Sequence, residues 1–450
     1  MNSSTNRRKL TYTQIIVLSF FCLILGGAFL LCLPISSREQ EWTPFIDALF
    51  TATTASCVTG LVVVDTYTHW SPFGQALILC LIQIGGIGVM TSISLIALFL
   101  KRRISLGERR LIMQSAGSLQ IAGIVKLLRR IFIGTAIIES CGALILSFVF
   151  CPRMGFFPGL WNAVFHAVSA FCNAGVDLMG KYGPYSSFTT GGLQFNPVVN
   201  LTIMGLIIVG GIGFVVWTDI ARHKLNFNKY EVHSKIALLM TAALLVGGTV
   251  LFFIFEYNHA FRGFTFWQKL LAAMFQSVTP RTAGFNTIDL TTLSDSGKLL
   301  TTILMFIGGS PGSTAGGIKT TTFAVLLLSA FAASRRYGSV TVFRRRLDDK
   351  TIVQASSIIT VYFACLFVAI SIICAIEPFS FMEVLFETVS AIGTVGLSLG
   401  ITPELMLPSK LILILLMFMG RVGGLTLMLV LAERRINIPI SRPTTQILIG

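Results

Sequence analysis

The chain has 450 residues, of which 54% are hydrophobic and only 12% are charged. Soluble globular domains carry about 25% charged residues, so the composition excludes an ordinary water-facing surface. The formal net charge of +15 does not indicate a nucleic-acid-binding protein, because long apolar runs separate the basic residues. A transmembrane helix needs about 20 mostly apolar residues, and such runs recur along the chain. The composition therefore predicts an integral membrane protein.

The residues that would support an enzyme or a metal site are scattered. The nine cysteines form no CxxC pair and lie mostly in apolar runs, where cysteine acts as a small hydrophobic residue. The five histidines are dispersed and none lies in a pattern such as HExxH. We expect no enzymatic activity, no disulfide framework and no cofactor bound to this chain.

Four segments repeat one pattern: a short amphipathic stretch with a phenylalanine, then small and hydroxyl residues, then a glycine. The phenylalanine–glycine pairs are ten residues apart in three copies and nine in the third, namely Phe50 and Gly60, Phe165 and Gly175, Phe275 and Gly284, and Phe386 and Gly396. Each segment is too short and too polar to span a bilayer, which is typical of a re-entrant loop. A repeated unit of this kind defines the architecture of the whole chain.

Apolar runs flank each of the four segments. In chain order, the runs before them are residues 15–33, 131–150, 236–255 and 358–376, and the runs after them are residues 76–100, 198–216, 299–332 and 411–431. The run at residues 15–33 is too long for a typical signal peptide and is predicted to be a retained first helix. Glycines recur in the second runs, where small residues let helices approach closely. The pattern predicts eight spans with four loops between them.

The distribution of basic residues sets the predicted orientation. Of the 34 Lys and Arg residues, 24 fall in segments on the N-terminal side of the membrane and eight on the other side. Basic residues are enriched on the cytoplasmic side, so both termini are predicted to be cytoplasmic and the four loops to enter from outside. The predicted units are residues 1–100, 101–220, 221–335 and 336–435 for the four repeats, followed by a cytoplasmic tail at residues 436–450.

The loop tips predict an ion filter. Non-helical backbone at membrane depth must line water or be buried in protein, because lipid offers no hydrogen bonds. Glycine permits a positive φ and close backbone approach, so carbonyl groups at four tips are predicted to replace the hydration shell of a cation. The predicted filter residues are Cys57, Val58, Thr59, Gly60, Cys172, Asn173, Ala174, Gly175, Arg281, Thr282, Ala283, Gly284, Gly393, Thr394, Val395 and Gly396.

These tips resemble those of the Trk/Ktr/HKT superfamily of potassium transporters. The resemblance runs from residue 15 to about residue 435 and rests on CVTGLVVVDT at 57–66, FCNAGVDL at 171–178, TPRTAGFNTID at 279–289 and TVGLSLGITP at 394–403. It implies an all-α membrane protein whose eight transmembrane helices form four tandem span–pore-loop–span repeats with pseudo-fourfold symmetry around one pore. The lack of extra N-terminal helices is similar to the Ktr branch. The implied function is uptake of K⁺, and Gly60 is similar to the glycine of potassium-selective members.

The second span of the third repeat is interrupted by residues 308–322, which contain five glycines, a proline and a lysine. Glycine costs about 1 kcal/mol and proline about 3 kcal/mol in a helix interior, so a continuous helix is not expected here. The other three second spans are predicted to continue as helices. The resemblance implies an intramembrane gating loop at this position, and a flexible kink is the alternative.

Arg421 lies inside the fourth second span, and a charge at membrane depth normally faces a cavity or a partner. The resemblance implies that it brakes cations or anchors the gating loop through carbonyl groups, whereas a snorkelling arginine is the alternative. The predicted gate residues are Gly308, Gly309, Ser310, Pro311, Gly312, Ser313, Thr314, Ala315, Gly316, Gly317, Lys319 and Arg421.

Other charged residues near the tips have open roles. Arg281 is predicted to turn away from the pore, toward a neighbouring acid or carbonyl group. Six acids near the outer mouth either raise the local cation concentration or are solvated loop charges: Asp65, Asp177, Asp289, Glu377, Glu383 and Glu387.

The basic inner loops at residues 101–110 and 335–346 are explained by the positive-inside bias and by anionic lipids. The resemblance implies a homodimer in the bacterial inner membrane, docked on a cytosolic ring of nucleotide-binding regulatory subunits (KtrA-like). No nucleic acid partner is expected. A sodium-coupled or sodium-permeable secondary transporter is the alternative function, because broken helices are also typical of that class. Four repeats in one orientation favour a pore over two inverted repeats.

Overall fold

The computed structural model describes residues 11–89, 91–92, 124–224, 226–335 and 339–423. Within these ranges the fold is almost entirely helical, with fifteen α-helices and one small hairpin. The whole predicted basic loop at residues 101–110 and the whole predicted tail at residues 436–450 lie outside the described residues.

The helices are grouped below by the predicted repeats. The first repeat contains α1 (Tyr12–Cys32), α2 (Phe45–Cys57), α3 (Thr66–His69) and α4 (Pro72–Ile87), and the second contains α5 (Ile124–Met154), α6 (Phe156–Cys172), α7 (Pro197–Gly211) and α8 (Phe214–His223). The third contains α9 (Val232–Glu256), α10 (Phe266–Val278), α11 (Asp295–Phe306) and α12 (Thr320–Ser334), and the fourth contains α13 (Asp349–Ile376), α14 (Phe381–Gly393) and α15 (Leu407–Val422). Short 3₁₀ helices lie at Pro34–Ser36, Met179–Lys181, Ser187–Thr189, Phe227–Lys229, Leu290–Thr292 and Thr402–Glu404, and strands β1 (Thr341–Val342) and β2 (Arg345–Arg346) pair antiparallel.

Four helices of the described chain are long and apolar enough to cross a membrane, at Gln14–Cys32, Val125–Met154, Val232–Glu256 and Asp349–Ile376. They coincide with the four predicted first spans. Large apolar side chains on them, such as Phe148, Val246 and Phe367, are exposed. Such apolar surface is typical of a face that contacts lipid.

Each first span is followed by a short helix that stops inside the fold. Helices α2, α10 and α14 have 13 residues and α6 has 17, so at 1.5 Å per residue they reach only about 20–25 Å. Thr265 and Ser380 begin α10 and α14 with capping boxes. The repeat phenylalanines on these four helices are all buried, namely Phe50, Phe165, Phe275 and Phe386.

The repeats pack in a closed order. Each short helix contacts the first span before it, as in α1 with α2 and α13 with α14. Each also contacts the second span of the preceding repeat: α4 packs on α6, α7 on α10 and α11 on α14. Helix α15 of the fourth repeat packs on α2 of the first. The four short helices are therefore enclosed by a cycle of contacts that returns to its start.

The prediction of three uninterrupted second spans was wrong for the second repeat, where α7 and α8 meet at an angle of 96°. Gly213 has a φ of +100° at this bend, a conformation that glycine adopts at little cost. The backbone groups freed by the bend find partners in the third repeat, because the Phe214 N–H donates to the Gly312 carbonyl at 2.7 Å and the Gly211 carbonyl accepts from the Ser310 N–H at 2.9 Å. Helices α4 and α15 also end before glycines of positive φ, Gly88 and Gly423.

Candidate functional site

The four predicted tips share one backbone conformation. The residue two positions before each glycine has a left-handed φ: Val58 (58°), Asn173 (60°), Thr282 (67°) and Thr394 (50°). The glycines themselves have φ values of +95° at Gly60, +66° at Gly175, +79° at Gly284 and +87° at Gly396. Left-handed conformations are uncommon for non-glycine residues and strained for a β-branched residue such as Val58. The same strained turn in four repeats indicates that the backbone, rather than the side chains, forms the site.

Gly60, Gly175, Gly284 and Gly396 lie together and are called the glycine ring below. A Cβ atom on Gly60 would lie 2.5 Å from the carbonyl oxygen of Ala174 and 3.3 Å from the Cα of Gly175. A Cβ on Gly175 would meet the Ala283 carbonyl, one on Gly284 the Val395 carbonyl, and one on Gly396 the Thr59 carbonyl. Each glycine thus faces the carbonyl group that precedes the glycine of the next repeat. The contacts form a closed ring in chain order that leaves no room for a side chain.

A buried hydroxyl side chain ties each short helix to its tip. The hydroxyl stands four residues after the repeat phenylalanine, at Thr54, Ser169, Thr279 and Ser390. In the first repeat the Thr54 Oγ1 accepts from the Gly60 N–H at 2.9 Å, and in the fourth the Ser390 Oγ accepts from the Gly396 N–H at 3.1 Å.

In the other two repeats the hydroxyl is a donor. Ser169 Oγ donates to the Val176 carbonyl at 2.6 Å, and Thr279 Oγ1 donates to the Phe285 carbonyl at 2.7 Å. The hydroxyl therefore fixes the backbone at the glycine or just after it in all four copies. This role of the hydroxyl residues was not predicted, although their constant distance from the phenylalanine indicates it.

A cavity of about 180 Å³, called the outer cavity below, opens on one side of the glycine ring. All four ring glycines line it, together with the acids Asp65 and Asp177. Asp65 is engaged, since its carboxylate accepts hydrogen bonds from the Tyr67, Thr68 and Tyr185 backbone N–H groups and from the Thr68 hydroxyl. A species in this cavity therefore contacts backbone at the glycine ring and, outside the ring, a lining of polar and apolar residues.

Asp177 lies in the loop just outside the ring and lines the same cavity. Its Oδ1 accepts from the Met179 N–H at 2.9 Å. Burial raises the pKa of this carboxyl group to about 6, and the nearby Asp65 charge acts in the same direction, while the hydrogen bonds from Met179 and Ser187 oppose the rise. The Asp177 carboxyl group therefore changes charge when the external pH passes through about 6.

The other predicted outer acids have structural partners. Asp289 and Glu383 accept hydrogen bonds at helix starts, and Glu377 accepts from the Met406 N–H at 2.8 Å. The Ser380 hydroxyl and N–H groups lower the pKa of the Glu383 carboxyl group. Glu387 is buried behind the outer cavity and accepts a hydrogen bond from Thr402.

Arg281 turns away from the glycine ring, as predicted, but the predicted kind of partner was wrong. Its guanidinium group is buried and donates to the Thr241 hydroxyl of α9 at 3.2 Å, not to an acid or a carbonyl group. Gly309 lines the same small space beside the Arg281 side chain. Arg281 thus forms part of the backbone of the third tip, while its charged side chain packs behind that tip.

Residues 308–319, called the polar segment below, are non-helical as predicted, although the helix resumes at Thr320 rather than after residue 322. Their backbone is tied to two other repeats. The Ser310 N–H donates to the Gly211 carbonyl at 2.9 Å, and the Gly317 N–H donates to the Gly420 carbonyl at 3.2 Å. The polar segment is therefore ordered, and it bridges α7 of the second repeat and α15 of the fourth repeat.

The polar segment also contacts the backs of the tips. Thr314 Oγ1 donates to the Phe171 carbonyl at the end of α6 at 3.0 Å. A Cβ on Gly316 would meet the Thr394 side chain of the fourth tip. Lys319 begins α12 and donates through Nζ to the Ala315 carbonyl at 2.6 Å and the Gly316 carbonyl at 3.2 Å. The segment consequently lies against the tips on the side opposite the outer cavity.

Arg421 joins the polar segment to the first repeat. Its Nη1 donates to the Thr314 carbonyl, and its Nη2 donates to the Gly85 carbonyl and, at 2.8 Å, to the Gly86 carbonyl. Arginine suits this arrangement because its planar fork offers several donors at fixed angles. The contact with a carbonyl group of the predicted gating loop is present, and the snorkelling alternative does not describe this side chain.

An intramembrane carboxyl group at Glu139 in α5 was not predicted from the sequence. Its Oε2 accepts from the Gln83 amide at 3.1 Å, and the Cys172 thiol lies 4.0 Å from its Oε1. Within the described ranges Glu139 has no Lys or Arg partner. A lone acid inside an apolar run is itself a signal of a buried polar network.

The described residues contain no group of three or more His, Cys, Asp and Glu side chains that could hold a metal ion. The backbone carbonyl groups at the ring are hard oxygen ligands, which favour alkali and alkaline-earth cations over transition metals. The glycine ring thus adjoins the outer cavity, and the polar segment contacts the tips that carry the ring.

Comparison with known proteins identifies the family of the chain. Residues 2–438 match the TrkH family, described as cation transport proteins, and the chain belongs to this family. It is 41% identical to the potassium/sodium uptake protein NtpJ of Enterococcus hirae, over 99% of this chain and 98% of the relative. It is also 41% identical to the Ktr system potassium uptake protein B of Bacillus subtilis, over 93% of this chain and 92% of the relative.

A solved structure shares the fold. The potassium transporter TrkH from Vibrio parahaemolyticus superposes with a TM-score of 0.75 over 96% of this chain and 87% of its own, at 16% sequence identity. The apolar helices and the family together identify a multi-pass membrane protein.

Proposed function

We propose that the chain is the ion-translocating subunit of a Ktr-type potassium uptake system. The observation that carries this proposal is the closed ring of four glycines, each facing a carbonyl group of the next repeat. Backbone carbonyl groups in such a ring replace the water shell of K⁺. The names of the relatives, potassium/sodium uptake protein and Ktr system potassium uptake protein B, support K⁺ as the transported ion.

The proposed selectivity filter consists of the four tips that carry the glycine ring. The four short helices end at these tips, so their C-terminal dipoles favour a cation there. The cyclic packing of α4 on α6, α7 on α10, α11 on α14 and α15 on α2 supports eight spans with pseudo-fourfold symmetry around one pore. The proposed repeats are residues 1–100, 101–220, 221–335 and 336–435, with a cytoplasmic tail after them.

The proposed gate consists of the polar segment and Arg421. The segment lies against the tips on the side away from the outer cavity, and its hydrogen bonds to Gly211 and Gly420 keep it across the path. Arg421 holds it through the Thr314 carbonyl and adds positive charge next to the path. Opening therefore requires these contacts to break while the glycine ring stays intact.

The word "system" in the names of the Ktr relatives supports a multi-component assembly. We propose a homodimer in the bacterial cell membrane, with cytoplasmic termini and a cytosolic nucleotide-binding ring as the regulatory partner. Sodium-coupled or sodium-permeable transport is the competing function.

The test is ⁸⁶Rb⁺ uptake in bacteria that lack their own potassium uptake systems, with the regulatory partner co-expressed. The wild type is expected to take up Rb⁺ and K⁺ with little inhibition by excess Na⁺. Gly60→Ser is expected to lose this preference, because a side chain at Gly60 would collide with the Ala174 carbonyl. Gly247→Ala on α9 is the control, since nothing lies within 4 Å of that position. An expressed wild type without Rb⁺ uptake overturns the proposal, and uptake that requires Na⁺ establishes the competing function.

A further inference from the structure

The outer cavity has a second ring of positions beyond the glycines. The residue two positions after each ring glycine is Val62, Asp177, Asn286 or Ser398, and all four line the cavity. Three of these four side chains carry oxygen atoms that can coordinate a cation. The fourth, Val62, interrupts the polar ring in the first repeat.

The oxygen atoms of this second ring are not all engaged by the protein. Asn286 Oδ1 is buried without a hydrogen-bond partner among the described residues. Asp177 accepts from the Met179 N–H through Oδ1 and from the Ser187 hydroxyl, and a carboxylate with about four acceptor positions has capacity for further bonds. Ser398 Oγ accepts from the Gly400 N–H at 2.9 Å and lies 3.1 Å from Thr402 Oγ1, whose hydroxyl hydrogen is donated to Glu387. These backbone and hydroxyl contacts hold the ring side chains in place at the cavity.

A buried acid lies behind the wall of the outer cavity, next to Ser398. Glu387 is 1% exposed, and its Oε1 accepts from Thr402, which lines the cavity next to Ser398. Its Oε2 has no partner among the described residues. Within the described part of the chain, the second carboxyl oxygen is therefore a buried acceptor without a hydrogen-bond partner next to the wall of the cavity.

The size of the outer cavity suits a cation with part of its water shell. A volume of about 180 Å³ is many times the space that one water molecule needs, so the cavity can hold a cation together with several water molecules. An ion entering the glycine ring must exchange water for carbonyl oxygens, and side-chain oxygens just outside the ring allow that exchange to proceed in steps.

We propose that Asp177, Asn286 and Ser398 form a discrete binding site for a partly hydrated monovalent cation immediately outside the glycine ring. This outer site rests on the proposed function and sets the apparent affinity for the transported ion. Asp177 supplies its charge, while Asn286 and Ser398 supply neutral oxygens. Occupancy of the outer site precedes entry into the glycine ring, so a weaker site raises the KM and leaves the maximal rate nearly unchanged.

The test compares four variants by the KM and maximal rate of ⁸⁶Rb⁺ uptake, at matched membrane levels. Asp177→Asn keeps an acceptor for the Met179 N–H but removes the charge, and we expect KM to rise about tenfold, equivalent to ~1.4 kcal/mol. Val62→Asp places a carboxylate at the fourth position of the ring and is expected to lower KM. The double variant Asp177→Asn with Val62→Asp is expected to restore a KM within about threefold of the wild type. Asp289→Asn is the control, because Asp289 is exposed and lies outside the cavity lining.

Each result decides the matter. An unchanged KM in Asp177→Asn overturns the outer site. A raised KM in Asp177→Asn that stays raised in the double variant with Val62→Asp also overturns it, because the Asp177 carboxylate then acts only in local structure. If Asp177→Asn does not reach the membrane, Val62→Asp alone decides, and a KM equal to that of the wild type contradicts the proposal. Failure of the proposed function gives a different result, namely no Rb⁺ uptake by the expressed wild type.

Discussion

Arg421 on α15 donates a hydrogen bond to the backbone carbonyl of Thr314, more than one hundred residues earlier in the chain. The same guanidinium group donates to the Gly85 and Gly86 carbonyls at the end of α4. One side chain thus connects the first, third and fourth repeats at the level where the polar segment meets the tips. Charge-assisted hydrogen bonds of this kind are about twice as strong as neutral ones.

Arg421→Ala is expected to increase the rate of Rb⁺ uptake and to leave the preference for K⁺ over Na⁺ unchanged. The variant removes three hydrogen bonds and a positive charge from the closed arrangement. A loss of only ~1 kcal/mol favours the open state about fivefold. Rate and selectivity are measured together at matched expression. A rate equal to that of the wild type, or a changed ion preference, contradicts the role of Arg421 in the gate.

Gly175→Ala is expected to reduce uptake at least about tenfold without loss of the protein from the membrane. The added Cβ would meet the Ala283 carbonyl, and the φ of +66° is unfavourable for alanine. Uptake is measured beside Gly205→Ala, a substitution on α7 with nothing within 4 Å of the new atom. Equal activity in the two variants would show that the glycine ring does not carry the ions.

Thr54→Val is expected to destabilise the first tip by about 1–3 kcal/mol, because the Gly60 N–H loses its acceptor in a buried position. The thermal transition of the purified protein in detergent and the K⁺/Na⁺ preference should both fall. Thr53→Val is the matched control, since the Thr53 hydroxyl bonds only to the Leu49 carbonyl within its own helix. Identical thermal transitions for the two variants would contradict the role of the Thr54 hydroxyl in stabilising the first tip.

External pH is expected to modulate the apparent affinity through Asp177. Burial raises the pKa of its carboxyl group to about 6, and only the deprotonated form attracts a cation. Lowering the external pH from 7.5 to 5 leaves about a tenth of the group charged, so KM should rise by up to about tenfold. Tyr185 and Asp65 are the other titratable groups in the cavity lining, and Asp65 already accepts four hydrogen bonds.

The pH response is measured as KM against external pH for the wild type and for Asp177→Asn. The wild-type curve is expected to bend near pH 6 and the variant curve to be flat. The same bend in both curves would assign the titration to another group.

The repeated unit and the first spans were predictable from the sequence because they depend on local patterns. Apolar runs of sufficient length predict α1, α5, α9 and α13, and the constant interval from phenylalanine to glycine predicts four equivalent tips. The interval is informative because the short helix ends seven residues after the phenylalanine in three repeats, at Cys57, Cys172 and Gly393, and earlier in the third, at Val278.

The features that were not predicted depend on contacts between distant segments. The bend between α7 and α8 is satisfied by Ser310 and Gly312, about one hundred residues later. The partner of Arg281 is the Thr241 hydroxyl, although nothing in the sequence near either residue indicates the pair. Glu139 was missed because its partners, Gln83 and Cys172, come from two other helices.

The most direct test of the central claim is anomalous X-ray diffraction from crystals of the protein grown in Rb⁺. The account predicts an anomalous peak on the axis of the glycine ring, within coordination distance of the carbonyl oxygens of Thr59, Ala174, Ala283 and Val395. Crystals of Gly60→Ser should lose or weaken this peak. Rb⁺ bound elsewhere in the wild type, with no peak at the ring, would contradict the claim that the four glycines form the filter.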